Sequence, residues 1–323
     1  VSETDWLQHV RKLVPVGLRT ALKELIGIAG LQERASHLEE RISLLEKELK
    51  DILLLSHPPG HFYSPIPSVQ DLRQREGQIF SGKPGKVPAI DFNDDGQIDL
   101  MRKLAQYLSE FPYEAGKGLK LRFLPVNPEI SEQDARMLFC LIRHLRPRRI
   151  IEIGIGYSSC VVLDTNELFF DNSISCTFID PYPDLLLSLM KECDGNRVEV
   201  VQDKVQDVSL DVFASLTQGD LLLIDSSHVS KIGSDVNHIF FQVLPSLNRG
   251  VYVNFHDIFY PFEYPKDWVL RGFCWNESYL MRAFLEYNGA FQIQVFPNYL
   301  AQVHRDKLPD ESLLAGNFLL LKI

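Results

Sequence analysis

The residues able to do chemistry in this sequence stand at the ends of apolar runs. The stretch RRIIEIGIGYSSCVV, residues 148–162, is β-prone, ends in Glu152 and then breaks into Gly154-Ile155-Gly156 ahead of Ser158 and Ser159. Glycine lets backbone approach a ligand closely, and a serine can open the helix that follows. Further along, SCTFID ends in Asp180, RVEVV runs into Gln202 and Asp203, LLLID leads to Asp225 and His228, and GVYVNFHD ends in His256 and Asp257. Asp180 is placed to accept hydrogen bonds from two ribose hydroxyls, and Gln202 with Asp203 to read an adenine edge. Asp225, His228, His256 and Asp257 are all metal-competent, and a histidine among carboxylates is also a candidate general base.

Two ligand classes compete for the Gly-x-Gly turn. A dinucleotide site shows three glycines, Gly-x-Gly-x-x-Gly, so that a helix N-terminus can meet pyrophosphate. Here the third glycine position holds Ser159, and an acid, Glu152, precedes the first glycine. A carboxylate in that place repels pyrophosphate and suits a ligand with a cationic amino group and no phosphate. S-adenosylmethionine is such a ligand.

These residues share one rim only if each run is a strand and helices lie between them. From SEQDARMLFCLIRHL, residues 131–145, the chain alternates helix and strand through RIIEIG, SCTFID, RVEVVQ, DLLLID and GVYVNFHD. That alternation specifies an α/β, doubly wound parallel sheet with crossover helices on both faces, where ligands bind beyond the carboxyl ends of the strands. It closes with a helix, ESYLMRAFLEYN, and two strands, FQIQVF and NFLLLKI, which read as joined without a helix and therefore antiparallel or apart. Upstream, residues 1–55 have helical periodicity with an expected break at GIAG, residues 27–30. A heptad follows over 31–52: Leu31, Leu38, Leu45 and Ile52 share one seam position, and Ala35, Ile42 and Leu49 the other. Arg34 and Arg41 fall at g and Glu39 and Glu46 at e, which pairs opposite charges in a parallel two-stranded coil and like charges in an antiparallel one. Self-association as a homodimer or larger assembly is the expectation; a helix folded back on residues 5–26 is the alternative. Prolines 58, 59, 65 and 67 end the helix, and residues 56–125 read as a cap or linking region that contains the HFYSPIP loop. Residues 126–323 form the nucleoside-binding domain.

Composition narrows the partners. The 323-residue chain carries a formal charge of −10 and is 45% hydrophobic, which disfavours nucleic acid or an anionic membrane as the main partner. No signal peptide opens the sequence and no run of about 18 uncharged apolar residues occurs, so no membrane span is expected. Five cysteines without a Cys-x-x-Cys pair point to a reducing, cytoplasmic setting. The first residue is Val rather than Met, which leaves N-terminal trimming open.

EIGIGYSS, FIDPYP, LLLIDSSHVSKIGSDVNHIFFQVLP and GVYVNFHDIFYPFEYPKDWV together resemble the class I S-adenosylmethionine-dependent methyltransferases. More narrowly, they resemble a bacterial branch that methylates hydroxyls of sugars, polysaccharides and natural products and carries an HFYSPIP-like segment upstream. The resemblance covers residues 56–300. It implies a Rossmann-like seven-stranded sheet whose last strand is antiparallel. By position, Glu152, Gly154, Gly156 and Ser158 hold the methionine part of the cosubstrate, Asp180 the ribose, and Gln202 with Asp203 the adenine. Metal-dependent relatives place an acid after the fourth strand and an acidic or amide pair after the fifth, which makes Asp225, His256 and Asp257 the expected metal ligands. His256 stands where an Asp is usual, and imidazole suits Mn, Fe, Co or Zn better than Mg, so the identity of the divalent metal, Mg, Mn or Fe, stays open.

The chemistry expected of such a site is O-methyl transfer to a sugar hydroxyl of a glycan precursor or glycosylated natural product. A divalent ion stabilises the alkoxide, His228 assisted by Asp225 removes the proton, and His61, Tyr63 and Ser64 position the acceptor. A metal-free rim with His228 alone as base is the simpler form of the same reaction. Two other readings are metal-dependent oxidation or hydroxylation on the same scaffold, and a non-catalytic coiled-coil assembly protein. DFNDDGQID, residues 91–99, matches the first half of a calcium loop, but Arg102 stands where a bidentate Glu belongs. The aromatic run FYPFEYPKDWVLRGFCWNE, residues 259–277, is a candidate acceptor wall, and His144 and His238 fall inside helical patterns.

Overall fold

The computed structural model describes residues 15–53, 56–81, 87–113, 120–308, 313 and 317–323. The chain divides into two compact units at Gln74/Arg75, so the linking region read from the sequence is split between them.

The first unit is dominated by α1, Val16–Leu53, a single helix of 38 residues. The expected break at GIAG does not occur. Each glycine costs a helix about 1 kcal/mol relative to alanine but leaves both backbone hydrogen-bonding groups in place, so flanking helix formers carry the chain through. Leu31, Leu38, Ile42, Leu45 and Leu49 lie exposed along it. The side chain of Ile52 and residues 1–14 lie outside the described residues. Past α1 the proline-rich loop closes on itself, with Gly60 N donating to Ile66 O and Ser64 N to His61 O, before the short helix α2, Val69–Gln74.

The second unit begins with α3, Glu76–Ile79, α4, Asp94–Ala105, and α5, Glu132–Leu145. The alternation that follows runs β1 Arg149–Ile153, α6 Tyr157–Phe170, β2 Ser175–Ile179, α7 Asp184–Leu189, β3 Val198–Val201, α8 Leu210–Ala214, β4 Leu221–Ile224, α9 Asp235–His238 and a π-helical turn Ile239–Val243 into α10 Leu244–Ser246. Then come β5 Tyr252–His256, α11 Lys266–Leu270, α12 Glu277–Leu285, β6 Gln292–Val295, α13 Pro297–Val303 and β7 Phe318–Lys322. The strands form one seven-stranded sheet in the order β3-β2-β1-β4-β5-β7-β6. β1 to β5 are parallel, and β7 runs antiparallel between β5 and β6, with Val253 opposite Leu321. Strand order reverses between β1 and β4, the position at which such sheets open a ligand crevice. The central strands are nearly continuous apolar runs because helices cover both faces; every residue of β4 is buried.

One expectation about the closing strands needs correcting: β6 and β7 do pair antiparallel, but a helix, α13, stands between them. Its sequence, PNYLAQV, is too short to show a helical period, and its signal is the proline at its first position. DFNDDGQID, already mismatched to a calcium loop at Arg102, runs into α4 from Asp94. Asp91 Oδ1 accepts from Asn93 N, and Asn93 Nδ2 donates to Ile293 O, so the stretch anchors a helix start to β6.

α5 is capped by Ser131, whose hydroxyl oxygen accepts from Asp134 N, and it packs its apolar face on the sheet. The buried Arg122 holds the segment leading into α5: its guanidinium pairs with Asp164 at 2.8 Å, Asp194 at 2.5 Å and Glu167 at 2.8 Å. A buried cation needs such partners to offset its desolvation. All five cysteines are free, and three of them are buried.

Candidate active site

The β1 exit is shaped by its contact with the β4 exit. Gly154 has φ +76°, and a Cβ there would stand 1.8 Å from the carbonyl oxygen of Asp225, so only glycine fits. Gly156 caps α6 with extended backbone, and a Cβ on it would come within 3.1 Å of Glu129 Oε2. Glu152 is buried at the end of β1. Its Oε1 accepts from the Ser158 hydroxyl at 2.5 Å, while Oε2 has no partner. Burial pushes its pKa up to about 7, with Asp225 adding to the rise and the serine hydroxyls opposing it.

Two clefts share Asp225 as a lining residue. The first is bordered by Glu129, Glu152, Ser158, Asp225, Asn254 and His256. The second is bordered by Gly154, Asp180, Lys204, Val205, Gln206 and Ser226. Asp180 is held by the backbone N–H groups of Ile155, at 3.3 Å, and Tyr182, at 2.6 Å. Gln202 and Asp203 are exposed beside this cleft, and the residues after them, Lys204 to Gln206, form its wall.

The β4 and β5 exits bring Asp225, His228, His256 and Asp257 together. His228 is buried: its Nδ1 is 2.8 Å from Glu277 Oε2, and its Nε2 is 3.2 Å from Asp225 Oδ1 and 3.9 Å from Asp257 Oδ2. Burial disfavours its charge, but the hydrogen bonds to Asp225 and Glu277 win and push its pKa up to about 10. In this arrangement the two carboxylates favour the protonated imidazole. His228 and Asp257 both have left-handed backbone, φ +58° and +56°. Such strain on non-glycine residues, of order 1–3 kcal/mol each, persists where the surroundings impose it. At His228 the surroundings are visible: its carbonyl accepts from Asn276 N and Glu277 N, and its ring lies 4.3 Å from that of Trp275.

Atoms of Asp225, His228 and Asp257 lie within 4.8 Å of one another, close enough to share one cation. His256, expected in that set, lies beside it, with Nδ1 3.4 Å from Asp257 Oδ1 and 3.7 Å from Asp225 Oδ1. Neither of its ring nitrogens has a hydrogen-bond partner. Burial opposes its charge, but Asp225 and Asp257 hold its pKa well above the ordinary histidine range. Glu277, Trp275, Asp134 and Glu129 belong to this site and went unrecognised in the sequence. Glu277 and Asp134 sit in first helical turns, where an acid reads as a favourable dipole contact, and Glu129 lies in a loop with no periodicity. Trp275 packs with Tyr264, Trp268 and Phe273 in an aromatic cluster over His228, which places the aromatic run of the sequence beside the rim. His61, Tyr63 and Ser64 belong to the first unit, where Tyr63 N donates to His61 Nδ1 and Ile66 N to Ser64 Oγ. Among the described residues no helix is long and apolar enough to cross a membrane.

Residues 151–258 match the model of a family described as a methyltransferase domain, a span that includes every strand exit from Glu152 to Asp257. A protein of Archaeoglobus fulgidus, described only as uncharacterized, is 36% identical over 164 residues, 50% of this chain and 74% of that protein. Similar solved structures include the O-methyltransferase TomG of Streptomyces achromogenes with S-adenosylmethionine, 18% identical over 69% of this chain and 88% of that one at a TM-score of 0.40. Another is the S-adenosylhomocysteine-bound methyltransferase PaMTH1 of Podospora anserina, 13% identical over 80% and 98% at a TM-score of 0.42. Neither structure is close enough to speak to this chain's substrate. The family match covers the whole crevice, residues 151–258, and with the sheet order it shows a methyltransferase domain of the class I, S-adenosylmethionine-dependent kind.

Proposed function

We propose that this enzyme is an O-methyltransferase acting, with the help of a divalent cation, on a hydroxyl of a sugar in a glycan precursor or glycosylated natural product. The observation that carries the reading is the convergence of Asp225, His228 and Asp257 on one rim, next to the cleft that holds Glu152. In this reading Glu152, Gly154, Gly156 and Ser158 receive the methionine part of S-adenosylmethionine and Asp180 the ribose. The wall after β3, from Gln202 and Asp203 to Gln206, receives the adenine.

Two carboxylates and an imidazole fit a divalent ion, and His256 stands beside them, with Nδ1 near both carboxylates. Such an ion would act as a Lewis acid on the acceptor oxygen. The chain's own contribution is orientation. Glu277 accepts a hydrogen bond from His228 Nδ1, which leaves Nε2 as the nitrogen that faces Asp225 and Asp257. A cation held by Asp225 and Asp257 would offset the negative charge that keeps His228 protonated, so Nε2 would be free to serve as ligand or base. The aromatic cluster around Trp275 offers flat faces for sugar rings. The exposed seam Leu31, Leu38, Leu45, Ile42 and Leu49 supports parallel self-association through α1. Free, largely buried cysteines suit a reducing compartment.

The test compares Asp225→Ala and Asp257→Ala with the parent enzyme, before and after chelation, in methyl transfer to a panel of glycosides. Loss of metal-stimulated turnover with affinity for S-adenosylhomocysteine within about threefold is the expected result; turnover indifferent to chelator and to both substitutions contradicts the metal-assisted reading.

A further inference from the structure

The cleft over the β1 and β4 exits is lined by more carboxyl groups than cationic ones. Glu129, Glu152 and Asp225 border it, and His256 is the sole lining group that can be cationic. Glu152 is 1% exposed and keeps an unpartnered Oε2 in this wall. A buried acceptor without a donor is rare in folded proteins and signals a missing partner. Glu129 lines the same cleft: its Oε2 would stand 3.1 Å from a Cβ on Gly156, so the glycine makes room for the carboxylate. Among the described residues no hydrogen bond or ion pair engages the Glu129 side chain, and burial together with Asp225 raises its pKa, so the protein alone does not favour a charge there.

We infer that Glu129 and Glu152 form a two-sided binding site for a primary ammonium group, the α-ammonium of S-adenosylmethionine, which makes Glu129 a cosubstrate-binding residue outside the Gly-x-Gly turn. The assignment rests on the cosubstrate reading above. An ammonium offers three donors, enough for Glu152 Oε2 and the Glu129 carboxylate together. The other half of the amino-acid zwitterion has a place as well: the 14-residue helix α6 points its N-terminus into the same cleft through Tyr157 and Ser158, where a carboxylate is favoured. The segment bearing Glu129 is fixed from below, since Asn127 Oδ1 accepts from the N–H groups of Glu129 and Ile130 and Arg122 anchors residues just before it.

The experiment is calorimetric titration of the full chain and of Glu129→Gln with two ligands, S-adenosylhomocysteine and 5′-methylthioadenosine, the second keeping the nucleoside thioether but lacking the amino-acid group. Loss of a charge-assisted contact predicts that Glu129→Gln binds S-adenosylhomocysteine about tenfold or more weakly, with 5′-methylthioadenosine affinity within about twofold of the parent. Equal losses for both ligands, or no loss for either, overturn the inference while leaving the cosubstrate reading standing. A parent enzyme that binds neither ligand overturns the cosubstrate reading and the ammonium site with it. Because among the described residues no hydrogen bond or ion pair engages the Glu129 side chain, the variant is expected to unfold at the parent's temperature, which the same samples check by calorimetry.

Discussion

Replacing Glu152 by glutamine should make the empty enzyme more stable at alkaline pH and worse at its work. Burial moves the Glu152 carboxyl from 4.5 to about 7 in the folded state. Between those values the folded protein holds a proton that the unfolded chain has released, so stability falls as pH rises through the window and the penalty is complete above pH 7. Each pH unit of separation is worth about 1.4 kcal/mol, which gives a full penalty of about 3 kcal/mol, of which about 2.5 kcal/mol develops between pH 5 and pH 8. Glutamine has the same shape and no charge. Its fixed offset, from placing an amide nitrogen where Oε2 had no partner, does not depend on pH. Urea denaturation of both proteins at pH 5, 6, 7 and 8 should therefore show the variant gaining on the parent by about 2.5 kcal/mol across the series. A difference that stays flat with pH would refute the reasoning, because it would mean that Glu152 titrates as it does in the unfolded chain. The same substitution should weaken S-adenosylhomocysteine binding, a trade of function against stability common at binding sites.

Gly154→Ala puts a methyl group 1.8 Å from the Asp225 carbonyl oxygen, so a loss of about 3 kcal/mol or more is expected from strain and displaced backbone; a variant with the parent's melting temperature would contradict the described turn. Leu38→Lys with Leu45→Lys should reduce the mass seen by light scattering to that of a single chain, and an unchanged mass would refute the coiled-coil reading of α1. Glu277→Gln removes the carboxylate on His228 Nδ1 without changing shape, so the His228 pKa should fall from about 10 toward the ordinary histidine range in an NMR titration. An unmoved titration would show that Asp225 alone sets it.

Much of this architecture was legible because parallel strands buried on both faces read as short apolar runs, each ending in a polar residue at the crevice. Glu152, Asp180, Asp225, His256 and Asp257 were visible for that reason. The placement of β7 between β5 and β6 was not visible, since strand order follows from three-dimensional packing rather than from any local pattern. The helix Pro297–Val303 was hidden by its length, and the continuity of α1 through Gly27 and Gly30 by a helix penalty smaller than the surrounding propensity. Glu129, Asp134 and Glu277 reach the site from segments outside the strand exits, and each looks like an ordinary loop or capping acid in the sequence. The charge state of His228 was only half legible, because the distant Glu277, 49 positions away, raises it together with the nearby Asp225. The left-handed backbone at His228 and Asp257 has no sequence signal, as neither residue is glycine.

The most direct test of the central claim is a calorimetric titration of S-adenosylhomocysteine into the chelator-treated enzyme, with NAD titrated separately. Saturable binding of S-adenosylhomocysteine at micromolar concentration, with none of NAD, is the predicted result. Binding of NAD, or no heat from either ligand, would contradict the assignment of the Glu152–Gly156 crevice to a phosphate-free, amine-bearing cosubstrate.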